Sequence, residues 1–159
     1  MLTRHARKLL SLTAVVALAA CTDNSITDPF SQAAGTYQLT VYAGKSIPAN
    51  YVIQAGDPNY PQYPNGATFV VTGGSIVLSN NGTFVETNSY TTTPTGQSPI
   101  SSSFVSHGTW TMTGTDLFLT APAQNQNGAR NVQGTLIIDT INYQEDNGVG
   151  GFDSFEYKR

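Results

Sequence analysis

From Gly35 to the C-terminus, apolar side chains recur at every second position, and no stretch of helix length carries them at three- and four-residue spacing. Alternate residues of an extended chain point to opposite faces, so this pattern admits strands with one buried face and argues against a helical body. Tyr37, Leu39 and Val41 alternate with Gln38, Thr40 and Tyr42, and Ala43-Gly44 closes that run. A short strand follows at residues 51–54. Ala67, Phe69 and Val71 on one side and Ile76 and Leu78 on the other flank Gly73-Gly74, a pair expected to form a tight hairpin. Ser79-Asn80-Asn81-Gly82 reverses the chain into residues 83–91, where Phe84 and Tyr90 share a face. Residues 102–113 put Phe104, Gly108, Trp110 and Met112 on one side, with Val105, His107, Thr109 and Thr111 on the other. A turn at residues 113–116 leads into Leu117-Phe118-Leu119. Residues 131–141 carry Val132, Leu136 and Ile138 in phase, and residues 152–157 form the last strand. Eight or nine short strands punctuated by turns predict an all-β fold, an antiparallel up-and-down barrel or a sandwich.

Two loops stand out. Residues 57–66 alternate proline with tyrosine, which predicts a stiff, extended connection whose rings pack on the wall or form a recognition surface. Residues 91–103 (TTTPTGQSPISSS) form a long polar insert expected to behave as a flap.

The length of 159 residues suits one domain. One cysteine cannot form an internal disulfide, so the core must hold the fold unaided. The formal charge is −3, with four arginines and three lysines, and such a chain lacks the basic footprint that nucleic-acid binding requires.

The first residues have a different character. Arg4, Arg7 and Lys8 precede a twelve-residue, mostly apolar stretch from Leu9 to Ala20. That is short of the roughly 20 apolar residues of a spanning helix but matches the hydrophobic region of a secretory signal. It ends in Leu18-Ala19-Ala20-Cys21, which resembles the lipobox of bacterial lipoproteins. The resemblance implies a signal peptide over residues 1–20, cleavage before Cys21, and a lipid anchor on the Cys21 thiol. Three of the seven basic residues leave with the signal, so four basic and ten acidic residues remain, a net charge of −6. Thr22 follows Cys21, and by resemblance to enterobacterial sorting rules this points to the outer membrane of a bacterial cell envelope. Residues 21–34 are polar, broken by Asp28-Pro29, and read as a flexible tether spanning about 20 Å. The barrel domain is then expected over residues 35–159.

Within that domain, Gly35-Thr36-Tyr37-Gln38-Leu39 with Gly44 and Ile47-Pro48 resembles the opening of lipocalin-like bacterial lipoproteins. Residues 74–84 (GSIVLSNNGTF) and 108–117 (GTWTMTGTDL) are similar to two further hairpins of that family. The resemblance covers most of residues 35–141 and implies a meandering antiparallel barrel of about eight strands. The insert at residues 91–103 departs from the family pattern.

No catalytic set is legible. His107 is the one histidine beyond the signal region, and alternation turns it away from Trp110. Neither a nucleophile elbow nor a partner for a transition-metal site is present. The acidic residues are scattered, and Gln144-Glu145-Asp146-Asn147-Gly148 lacks the spacing of a calcium loop, so it reads as a solvated turn. The expectation is a non-enzymatic protein without cofactor, held to its membrane by lipid. Its barrel would take a small apolar ligand among inward Phe69, Phe84, Phe104, Trp110, Leu117 and Leu136. The alternative is a filled barrel that meets protein or polysaccharide through its loops.

Overall fold

The computed structural model describes residues 29–123 and 128–159. The signal segment, Cys21 and the tether as far as residue 28 lie outside the described residues. Alternation along each strand delivers one apolar face, and the ladder that joins these faces runs in chain order and returns on itself. A short helix, α1 (Pro29–Ala33), leads into β1 (Gly35–Tyr42), β2 (Lys45–Ser46), β3 (Ala49–Ile53), β4 (Ala67–Leu78) and β5 (Thr83–Pro94). The chain continues through β6 (Ile100–Thr113), β7 (Asp116–Ala121), β8 (Arg130–Ile137), β9 (Thr140–Asp146) and β10 (Phe152–Lys158). β4 to β10 pair consecutively and antiparallel, and β1 pairs with both β10 and β4. The result is a closed eight-stranded up-and-down barrel, as the strand pattern and the family resemblance both led one to expect. Closure removes the unpaired edges that an open sheet would expose.

β1 follows β4 only as far as Gln38, so the barrel flares beyond that point. β2 and β3 fill the opening, β2 on Val41 and Tyr42 and β3 on the first half of β4. The opposite end is sealed. Trp110, Tyr37, Phe84, Leu78 and Leu117 are almost wholly buried there. Phe30 of α1 stands edge-on to Trp110, with ring centroids 4.7 Å apart. The Trp110 indole N–H donates to the Ser79 carbonyl (3.0 Å), and the Tyr37 hydroxyl donates to the Ala33 carbonyl (2.6 Å).

Five local expectations are corrected. Gly73-Gly74 is not a hairpin: β4 runs through it, with a register shift between Val71 and Gly73. A Cβ on Gly74 would collide with the Asn88 side chain and the Thr87 carbonyl of β5, so the glycine answers a close approach and not a turn. A bulge between Leu39 and Val41 changes the phase of β1, so Tyr42 lies inward, opposite Phe155, and Val41 does not. Ile138 is not in a strand but at the β8–β9 turn, with φ +57° and 87% exposure. Residues 91–103 are mostly the paired ends of β5 and β6, because a threonine-rich run suits an extended ladder. Finally, Pro29 starts a helix instead of breaking the chain, since its fixed φ suits a first helical position. The last residues assigned to the tether therefore plug the barrel base.

The adjacent glycines give a paired test. Gly74→Ala should cost about 1–3 kcal/mol through overpacking. Gly73→Ala, whose Cβ would meet nothing within 4 Å, should be neutral or stabilising by up to about 1 kcal/mol. Urea unfolding of the two variants measures both; equal losses would refute the close-approach reading.

Candidate functional site

Above the apolar base, the inward positions of four strands turn polar. Glu86 follows Phe84 by two residues on β5, and Asn88 and Tyr90 continue the same face. Arg130 opens β8 in phase with Val132, and Tyr143 and Glu145 continue the inward phase of Ile141 on β9. Asp153, Phe155 and Tyr157 do the same on β10. Strand pairing sets Glu86 beside Ser106, Tyr143 beside Phe155, and Glu145 beside Asp153.

These side chains form one network. The Glu86 carboxylate is 0% exposed. One of its oxygens accepts from the Tyr143 hydroxyl (2.6 Å), the Tyr157 hydroxyl (2.8 Å) and the Asn88 amide (2.8 Å). The other pairs with Arg130. Arg130, 9% exposed, donates through Nε and Nη2 to both oxygens of Glu145, at 2.6 and 2.7 Å. Burial works against the Arg130 charge, but the hydrogen bond to Glu145 and the Glu86 carboxylate outweigh it and hold the guanidinium protonated. Burial, followed by the charge of Glu86, pushes the Tyr143 and Tyr157 phenols up and Tyr90 up to about 12. Every fully buried side-chain polar atom among the described residues has a partner. The network therefore holds these phenols neutral and their rings in place.

Around the flared end the interior becomes aromatic and opens. Tyr42 meets Tyr51 and Phe155 edge-on, at 5.7 and 5.1 Å, and Phe69 stacks on Tyr90 at 5.4 Å. The Tyr42 hydroxyl donates to the Asp153 carboxylate, and the Tyr51 hydroxyl donates to the Tyr42 carbonyl (2.6 Å). Residues 57–66 are not extended as expected. They fold as consecutive turns, with Tyr60, Tyr63 and Gly66 each donating a backbone N–H three residues back. The physical reason is local: Asp57 accepts from the Asn59 N–H, and glycines with positive φ at 56 and 66 bend the ends. The turns bring Tyr60 and Tyr63 to a cavity of about 420 Å³ that Tyr42, Tyr51, Phe69 and Asp153 also line. A second cavity, about 660 Å³, lies where β7 ends and is lined by Phe104, Ser106, Arg130 and Glu145 among others.

The six residues expected to line the lumen divide accordingly. Phe84, Trp110, Leu117 and Leu136 belong to the buried base and line neither cavity. Phe69 lines the mouth cavity, and Phe104 lines the second cavity with the Arg130 guanidinium 5.6 Å from its ring centroid. His107 is exposed on the outer face of β6. Glu145 is not part of a solvated turn: at 32% exposure it points inward to Arg130, while Asp146 and Asn147 cap the backbone of the turn. No group of three or more metal-ligating side chains occurs among the described residues. Sequence reasoning missed Glu86, Asn88, Arg130, Tyr143, Asp153 and Tyr157. Their signal was present as phase, since each shares its strand's two-residue period with a buried apolar residue.

Two outcomes follow from this network. Arg130→Met leaves Glu86 buried without its counter-charge and should destabilise the fold by about 3–5 kcal/mol, whereas Glu86→Gln with Arg130→Met should recover much of that loss. Urea unfolding of the single and double variants would disprove the pairing if the losses simply added. The raised phenols set a pH window. A folded pKa above the unfolded value means stability that is intact below about pH 10 and is lost as pH rises through the folded values. Tyr143 and Tyr157 should thus ionise only as the barrel unfolds, and the last rise in tyrosinate absorbance should coincide with loss of near-ultraviolet circular dichroism. Comparison with protein-family models, with curated proteins and with solved structures found no match.

Proposed function

We propose that this chain is a lipid-anchored cell-envelope lipoprotein whose lipocalin-like barrel binds a small, largely apolar ligand without catalysing a reaction. The anchor follows from Leu18-Ala19-Ala20-Cys21 behind a short basic and apolar leader. The outer membrane is the proposed address, on the residue that follows Cys21. One observation carries the ligand reading: a solid base supports an aromatic mouth cavity of about 420 Å³, a volume within the range of small-molecule sites. The ligand would lie against Tyr42, Tyr51 and Phe69, above Phe84, Trp110, Leu117 and Leu136, which act as packing. Phe104 would belong to the second cavity. Nothing in the polar network supports acid–base chemistry, because its carboxylates and phenols are engaged with one another.

The filled base also favours a second reading, a barrel whose loops meet protein or polysaccharide while the interior does no more than hold them. Mass spectrometry of small molecules extracted from the tag-free protein separates the two. A bound species lost in a Phe69→Ala variant supports the mouth site; an empty wild type with unchanged loop-dependent binding to envelope material supports the loops. For the anchor, a Cys21→Ala variant should leave the membrane fraction, and its retention there would refute lipidation.

A further inference from the structure

We infer that the mouth cavity selects an organic cation, an ammonium group carried on an apolar body. This rests on the ligand-binding reading of that cavity and specifies its chemistry. Tyr42, Tyr51, Tyr60, Tyr63 and Phe69 contribute rings to the lining, and Asp153 is the one charged residue among the described lining side chains. An aromatic face attracts a cation through its quadrupole, and rings grouped about one space are how ammonium ligands are recognised. Tyr51 already carries such a contact, with Lys45 Nζ 4.2 Å from its ring centroid, and Lys45 does not line the cavity.

Charge bookkeeping around the mouth points the same way. Glu145 stands directly across the β9–β10 ladder from Asp153, and Glu86 lies deeper on β5. Arg130 serves both Glu86 and Glu145, while the hydrogen bond of Asp153 comes from the neutral Tyr42 phenol. Arg130 is thus engaged by Glu86 and Glu145, and Asp153 has no ion-pair partner among the described residues. A neutral apolar ligand would cover Asp153 without compensating it, an anion would be repelled, and a cation would do what the lining lacks. The acidic balance of the chain adds attraction at longer range.

Calorimetric titration of the full mature protein in non-ionic detergent with three matched probes tests this. Choline is the cation, 3,3-dimethylbutan-1-ol its neutral isostere, and 3,3-dimethylbutanoate the charge-reversed analogue. Choline should bind at least ten-fold more tightly than the alcohol, and the acid should not bind. Asp153→Asn should weaken choline at least five-fold and leave the alcohol unchanged. Because that change also touches Tyr42, Tyr63→Ala in the exposed loop supplies a second variant, expected to weaken choline at least three-fold with an unaltered melting temperature. Equal or tighter binding of the alcohol overturns the cation preference while leaving a ligand site in place. Failure of all three probes overturns the preference, and the extraction experiment then decides separately whether the cavity holds anything.

Discussion

A carboxylate with no access to water sits in the middle of this barrel, and much of the architecture above it depends on how its cost is met. An uncompensated buried charge would be worth several kcal/mol against folding, on the order of 3–5 when a partner is missing. Glu86 on β5 is answered by Asn88 on the same strand, Arg130 on β8, Tyr143 on β9 and Tyr157 on β10. Those strands are brought together only when the sheet has closed, since β10 meets the first half of the chain through β1. The network is satisfied only by a complete barrel, so an open or slipped sheet would leave the Glu86 carboxylate short of partners. Low dielectric around it strengthens each bond and makes any missing partner expensive.

The same network divides the molecule by chemistry. Below it, Trp110, Phe84, Tyr37 and the aliphatic residues around them form a solid plug, reinforced by Phe30 from α1. Above it the barrel is no longer a single tube. The early parting of β1 from β4 opens a flare that short strands and a tyrosine-bearing loop only partly fill. Arg130 and Glu145 join the two regions, one end of the guanidinium fixed in the core and the other at the wet rim. Aromatic rings at the mouth are therefore held on a rigid floor, Tyr143 stacking on Phe155, and Phe155 meeting Tyr42. A site for a small ligand needs that kind of preorganisation, because ordering the lining on binding would consume part of the affinity.

Much of the fold was legible because strand alternation is a strong signal. The inward faces of β5, β6, β7 and the first part of β8 follow the phases read from Phe84, Trp110, Leu117 and Val132. Errors came where one residue type answers two physical demands. Two glycines can mark a turn or make room for a neighbour, and only the presence of Asn88 opposite Gly74 distinguishes them. A proline can end a segment or start a helix, and the packing of Phe30 on Trp110 decides for the helix. Ile138 continued an apolar phase in the sequence, yet the chain turns there, and the turn is tied to the C-terminus through Asp139 and Arg159. The polar network escaped notice for a related reason. Glu86 and Arg130 are 44 residues apart, and nothing along the chain announces that they meet.

The amino-acid sequence by itself determined the fold class, the approximate strand count and which residues of most strands face the core, because a two-residue period is a local property. It also supplies the resemblance at Cys21, which is a matter of local chemistry and needs no fold. Only the tertiary structure decided that the lumen is filled at its base and open at its mouth. Filling depends on how side chains from distant strands share one volume, and on a bulge in β1 that places Tyr42 inside. It likewise decided that scattered acidic residues converge near one arginine, since charge density at a point is set by closure of the sheet and not by spacing along the chain.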